Sequence, residues 1–288
     1  MPFIAVGREN SGLIQLHYED HGVGPPVVMV AGYLQDGRSW EKQEAALLAG
    51  GFRVITYDRR GFGSSSRPSG GYDFDTLAAD LAALLGHLNL QGVTLVGYCM
   101  GTGEVVRYLA IHGSSRVERA ALLAPLPPFL LRTPDNPDGI DRVIFDEFIA
   151  EITADRPAAA KTYLDKCYNI DLLGGTRVSD QAWQNSFYTA LRAAPAAARG
   201  CVRAWMEDFR ADLALVRVPV LVAQGGQDRV FPPEATGNRL PRLIAGARHL
   251  VIPDGPHAII WTHADEVNGA LLALLRQQGR ASIPGDPG

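Results

Sequence analysis

The stretch Val93-Thr-Leu-Val-Gly97-Tyr98-Cys99-Met100-Gly101-Thr102-Gly103-Glu104 leaves this chain few choices of fold. A nearly continuous apolar run, suited to a strand covered on both faces, meets Gly-x-Cys-x-Gly and passes at once into helical spacing. Glycines on either side of one residue allow a strand-to-helix turn so tight that backbones touch, and the residue between them is pushed out above the sheet. The free N–H groups and positive dipole end of the next helix then face its side chain. A thiol in that place is acidified, and an oxyanion beside it is stabilised. Although glycine-rich, the run is neither Gly-x-Gly-x-x-Gly nor a phosphate loop with its Lys-Ser/Thr. A lone cysteine on such a turn also fits a buried structural thiol, so the rest of the chain must decide.

Short apolar runs recur at 27–31, 54–57, 93–96, 120–123, 220–223 and 249–252, and stretches with helical spacing lie at 40–48, 77–88, 103–111 and 264–275. Alternating strands and helices predict an α/β fold with a mostly parallel, doubly wound sheet. Segments 3–7 and 13–19 alternate apolar and polar residues and read as an antiparallel pair. From 125 to 213 the alternation stops. A proline-rich start (Pro125, Pro127, Pro128, Pro134, Pro137) leads into Ala-rich and aromatic helical segments. This reads as a helical lid, 125–213, inserted between core parts 1–124 and 214–288. The competing reading is a plain second helical layer, for which the detour is long.

At 288 residues the chain can form one core plus an insertion. Its net charge of -4 is small and no basic stripe occurs, which argues against nucleic acid and acidic membranes as partners. No apolar run approaches the roughly 20 residues of a spanning helix, and the first ten residues lack the pattern of a signal peptide. Cys99, Cys167 and Cys201 are odd in number and lack metal-ligand spacing. Neither a metal site nor a disulfide framework is expected, and a cytoplasmic location fits. The tail 277–288 reads as frayed.

A nucleophile of this kind needs a base and an orienting acid. His257, in Pro253-Asp-Gly-Pro-His257-Ala, follows the last strand and precedes the final helix. His263 lies near the start of that helix and reads as a cap; His17, His21, His87 and His112 read as surface or core residues. Asp228, in Gln224-Gly-Gly-Gln-Asp228, follows the strand 220–223; its rival Asp254 is so close to His257 in sequence that it reads as shaping the turn. The order Cys99, Asp228, His257 is the nucleophile–acid–base order of α/β-hydrolases. Oxyanion donors are then expected at the N–H groups of Met100 and Tyr33, with Gly32 permitting the turn after 27–31.

Four stretches carry a family resemblance: Gly32-Tyr-Leu-Gln-Asp-Gly-Arg-Ser-Trp40, Tyr57-Asp-Arg-Arg-Gly-Phe-Gly-Ser-Ser65, Val96-Gly-Tyr-Cys-Met-Gly-Thr-Gly-Glu-Val105 and Trp261-Thr-His-Ala-Asp-Glu-Val-Asn268. The chain resembles the cofactor-free (non-haem) haloperoxidases and perhydrolases, with the related aryl esterases and γ-lactamases, of the α/β-hydrolase superfamily. The resemblance implies the α/β-hydrolase fold, the triad Cys99, Asp228 and His257, oxyanion donors at Tyr33 and Met100, and no cofactor, metal, haem or flavin. It also implies an oligomer, since such relatives are commonly dimers or trimers. Four positions depart from the family pattern: Cys99 stands where serine is usual, Ala31-Gly32 and Gln224-Gly225 where His-Gly is usual, and Leu34 where many perhydrolases have a proline beside the oxyanion hole.

A cysteine nucleophile would form a thioester, which reacts readily with amines and thiols and more reluctantly with water. The expected substrate is an ester, lactone or thioester, free or carrier-bound, with hydrolysis, acyl transfer or cyclisation as the outcome. Aromatic residues of the insertion (Phe129, Phe145, Phe148, Phe187, Tyr188, Trp205, Phe209) suggest an apolar acyl group. Phe129 and Trp205, with Gly32 and Leu34, are the candidate substrate contacts. Rival readings are a non-hydrolytic descendant that uses only the pocket, a perhydrolase or haloperoxidase, and a cysteine introduced in place of serine.

Overall fold

The computed structural model describes residues 2–277, so the tail expected to fray lies, beyond Gln277, outside the described residues. Strands β1 (Phe3–Glu9), β2 (Gly12–His21), β3 (Pro26–Val30), β4 (Arg53–Tyr57), β5 (Val93–Tyr98), β6 (Val117–Leu123), β7 (Val220–Gly225) and β8 (Arg248–Ile252) include all eight segments read as strands. They form one sheet in the order β1-β2-β4-β3-β5-β6-β7-β8. The pairs β1–β2 and β2–β4 are antiparallel and the other five are parallel. The central strands β5 and β7 are buried along their whole length, as their unbroken apolar runs require.

Helices α1 (Glu41–Ala49), α2 (Phe74–His87) and α3 (Met100–His112) follow β3, β4 and β5. The second begins three residues before the periodicity does, because Asp73 caps it by accepting the Thr76 N–H at 2.8 Å. The third starts at Met100 because Cys99 itself makes the turn. Between β6 and β7 there is no strand, only α4 (Arg142–Ala154), α5 (Arg156–Tyr168), α6 (Ile170–Leu173), α7 (Asp180–Leu191), α8 (Pro195–Ala204) and α9 (Arg210–Leu213). After β7 come α10 (Leu240–Leu243), α11 (Ile259–Thr262) and α12 (Ala264–Leu275). The pairs α2–α3 and α1–α12 pack together and cover the two faces of the sheet.

The elbow is where packing is tightest. Cys99 has φ +54° and ψ −123°, a conformation that costs an L-residue on the order of 1–3 kcal/mol. A Cβ on Gly97 would stand 2.6 Å from the Gly101 carbonyl oxygen, and one on Gly101 would collide with the Val30 carbonyl oxygen of β3. These contacts are backbone on both sides and cannot yield by a rotamer change. Gly269, in α12, is the opposite case, with open space where its Cβ would go. Gly101→Ala should therefore lower stability by about 1–3 kcal/mol or more, whereas Gly269→Ala should raise it by about 0.5–1 kcal/mol. Urea denaturation midpoints of the two variants check this, and equal midpoints would refute the packing argument.

Candidate active site

Three loops at the same end of the sheet bring Cys99, Asp228 and His257 together. The loop after β7 is locked to the loop after β8: the Gln227 N–H donates to the Gly255 carbonyl at 2.9 Å and the Gly226 N–H to that of Ile252 at 2.8 Å. Gly225 is required there, since any Cβ would strike the Gly255 and Pro256 carbonyl oxygens. Across this lock His257 Nδ1 and Asp228 Oδ2 are 2.7 Å apart. Asp228 is fixed by the N–H groups of Val230 (2.8 Å) and Phe231 (2.9 Å) on Oδ1 and by Gln224 Nε2 (3.2 Å) on Oδ2. Gln224, one of the four departures, thus bonds directly to the acid. The sequence reading did not anticipate that contact.

Cys99 and His257 have no exposed surface. Burial alone would raise the Cys99 thiol, but the charge of the neighbouring His257 outweighs it, with help from the Tyr33 N–H and the Tyr163 hydroxyl. The net result is a thiol held below its ordinary value. For His257 burial works downward, while the charges of Asp228 and Cys99 push the imidazole up to about 10. The two groups titrate as a pair, and each favours the other's charged form. Its remaining ring nitrogen, Nε2, makes no hydrogen bond of normal geometry.

On the other side of the sulfur lies the turn after β3. The buried guanidinium of Arg59 donates to the carbonyls of Ala31 (2.7 Å) and Gly32 (3.3 Å) and to Glu104 Oε2 (2.9 Å). Tyr57 donates its hydroxyl to the other Glu104 oxygen. With those carbonyls turned to Arg59, the Tyr33 N–H faces Cys99. Met100 is the first residue of α3, so its N–H lacks an intrahelical acceptor. Leu34 has φ +59°, a left-handed conformation that proline, held near φ −65°, cannot adopt. Proline could therefore not replace Leu34 without changing the turn.

Helix α5 of the inserted segment reaches all three loops. The Tyr163 hydroxyl is 3.5 Å from Cys99 Sγ. The Cys167 carbonyl accepts the Ala258 N–H (2.8 Å), next to His257, and Asn169 Nδ2 donates to the Gln227 carbonyl (2.9 Å), next to Asp228. Rings in edge-to-face contact run from Tyr163 to Tyr33 (5.2 Å), Trp205 (4.8 Å), Phe231 (5.2 Å) and the His257 imidazole (5.1 Å). Tyr163, Trp205 and Phe231 also line a cavity of about 230 Å³ together with Ile144, Phe145 and Phe148. A hollow of about 360 Å³ beside Trp261 is lined by Glu19, Arg38, Glu41 and Glu44 among others; neither it nor the smaller cavity is lined by Cys99, Asp228 or His257 themselves.

Trp205 thus lies at the site, but Phe129 does not. Its carbonyl is held by Asn136 (3.0 Å) and its ring lies under the Arg210 guanidinium at 4.9 Å, which fixes it in the start of the insertion. His263 occupies the cap position of α12, yet its ring bonds to Thr262 and Asp254 and caps nothing. Asp254 pairs with Arg177 and His263 and leaves His257 to Asp228. Tyr163, Phe231, Arg59 and Glu104 escaped the sequence reading. For Tyr163 the available signal was Tyr163-x-x-x-Cys167, two residues one helical turn apart and so on one face of α5.

Among the described residues no group of three or more His, Cys, Asp or Glu could hold a metal ion, and no helix is long and apolar enough to cross a membrane. The family described as alpha/beta hydrolase fold matches residues 25–264. A candidate non-heme chloroperoxidase from Synechocystis sp. is 51% identical over 276 residues, covering 96% of this chain and 100% of that protein. A bifunctional esterase/perhydrolase from Acinetobacter calcoaceticus is 31% identical, covering 91% and 96% respectively. The crystal structure of a bromoperoxidase from Bacillus anthracis superimposes with a TM-score of 0.92 at 38% identity, covering 96% of this chain and 99% of that one. Sheet order, elbow and these likenesses agree: the chain belongs to the α/β-hydrolase family, close to the non-heme haloperoxidases and their esterase relatives.

Proposed function

We propose that this α/β-hydrolase transfers acyl groups through a thioester on Cys99. The observation that carries the reading is the buried Asp228–His257 contact of 2.7 Å beside a thiol held below its ordinary value on a strained elbow. The Cys99 thiolate attacks the carbonyl carbon of an ester, lactone or thioester, and the electron pair of the C=O bond moves onto oxygen. The N–H groups of Tyr33 and Met100 hold that oxyanion. As it collapses, the bond to the leaving group breaks, and protonated His257 supplies the leaving group's proton. His257 then takes a proton from the acceptor (water, an amine, a thiol or an alcohol) as it attacks the thioester, and Cys99 departs as thiolate. Asp228 holds one imidazole orientation throughout.

The acyl part fits the cavity of about 230 Å³, whose lining is largely aliphatic and aromatic. Hydrogen peroxide as acceptor would give a peracid, the chemistry named for the Acinetobacter relative. The Leu34 turn speaks against it, because its backbone differs from one that carries proline.

Incubation with p-nitrophenyl acetate should add one acetyl group to the peptide containing Cys99, detected by mass spectrometry, and none in Cys99→Ala. An unmodified Cys99 in the native enzyme would overturn the reading. The pH dependence has a definite sign. Thiolate persists down to the depressed titration of Cys99, and imidazolium persists up to about 10. Iodoacetamide alkylation of Cys99 should therefore reach half its maximal rate below the ordinary thiol value, about 8.5. In His257→Ala the midpoint should move upward; a native midpoint at or above the ordinary value would refute the pairing.

A further inference from the structure

We infer that Tyr163, delivered by the inserted segment, is a third oxyanion donor and hence a catalytic residue of the acyl-transfer reaction. The inference rests on the thioester reading above. Its starting point is a poorly satisfied hydroxyl. Tyr163 is buried, and among the described residues the one hydrogen bond of normal geometry its hydroxyl makes is to the Cys99 sulfur, at 3.5 Å, with the thiol of Cys167 as its other polar neighbour. Sulfur is a weak acceptor, and a buried O–H normally has a strong one. The Tyr33 N–H is turned toward the same sulfur and helps hold it below its ordinary value. In the resting enzyme, then, the nucleophile itself occupies the donors assembled for the oxyanion.

Attack resolves this. When the Sγ–C bond forms, the carbonyl oxygen lies two bonds from the sulfur, within reach of a hydroxyl already 3.5 Å from Sγ. Developing negative charge on that oxygen is a far better acceptor than sulfur, so the hydrogen bond strengthens as the transition state is approached. That difference accelerates the reaction; uniform binding would not. The phenol keeps its proton, since burial and the neighbouring Cys167 and Cys99 charges push its ionisation well upward. The proton needed by the leaving group still comes from His257. The ring is immobilised edge-on against Tyr33 (5.2 Å) and stacked with Phe148 (6.0 Å), so the donor is preorganised.

Tyr163→Phe keeps the ring and removes the hydroxyl. Single-turnover acylation by p-nitrophenyl acetate should slow by about 10²-fold, within the range for loss of one such donor. Alkylation by iodoacetamide passes through no oxyanion, so its rate on the high-pH plateau should be unchanged, which also shows that the variant is folded with an intact thiol. An equal loss in both reactions would overturn the inference, since Tyr163 would then act only on the thiolate. So would unchanged acylation. A loss confined to alkyl esters, with p-nitrophenyl esters unaffected, would overturn it too, by making Tyr163 a donor to the leaving group. Native enzyme that fails to acylate at all would refute the thioester reading instead, so the two failures are distinguishable.

Discussion

The site hangs on a buried ion pair. Arg59 and Glu104 are 2% and 0% exposed, and each pays for leaving water: burial drives the guanidinium's ionisation down and the carboxyl's up. What holds the two together is a direct contact, with the guanidinium, which keeps its proton at any ordinary pH, set against the carboxyl. One carboxyl oxygen accepts an Arg59 N–H at 2.9 Å and the other accepts the Tyr57 hydroxyl, which a carboxylate can do with both oxygens at once. Removing one partner of such a pair typically costs about 3–5 kcal/mol, because the other stays buried and unpaired. A pair this expensive is poor value as stabilisation. Its consequence is directional: Arg59, at the end of β4, fastens the carbonyls that end β3 to a residue of α3, and so fixes which way the next amide points.

Much of this was legible in the sequence, and the reasons differ by element. The strands could be read because burial on both faces leaves unbroken apolar runs, as at 93–96 and 220–223. The elbow could be read because its glycines answer steric demands that no other residue meets, Gly97 against Gly101 and Gly101 against Val30. Helix starts were less visible: Asp73 and Cys99 set them by local geometry that precedes the apolar period. Long-range partners were least visible. No residue near Arg59 in sequence signals that it meets Ala31, and the helix face that Tyr163 shares with Cys167 says that the residue is covered without saying that Cys99 covers it; Phe129, an aromatic residue of the same segment, packs under an arginine.

The departures from the family pattern also gain physical content. Gln224 donates to Asp228 Oδ2 and Leu34 adopts a backbone closed to proline, whereas the Ala31 carbonyl held by Arg59 is main chain and would be there with any residue. Each of the first two acts on the position of a group that would touch the acyl carbon, its oxygen or the imidazole.

The bonds made by α5 carry one more consequence. Cys99 has no exposed surface, and part of what covers it is α5, whose Tyr163 hydroxyl stands 3.5 Å from the sulfur. That helix is tied to the base loop through Cys167 and Ala258 and to the acid loop through Asn169 and Gln227. Swinging α5 far enough to bare the sulfur would break both ties and loosen the imidazole and the carboxylate that acidify it. Cover and acidity are thus mechanically linked: any displacement of α5 that uncovered the thiol would, in the same movement, remove contacts that hold it below its ordinary value.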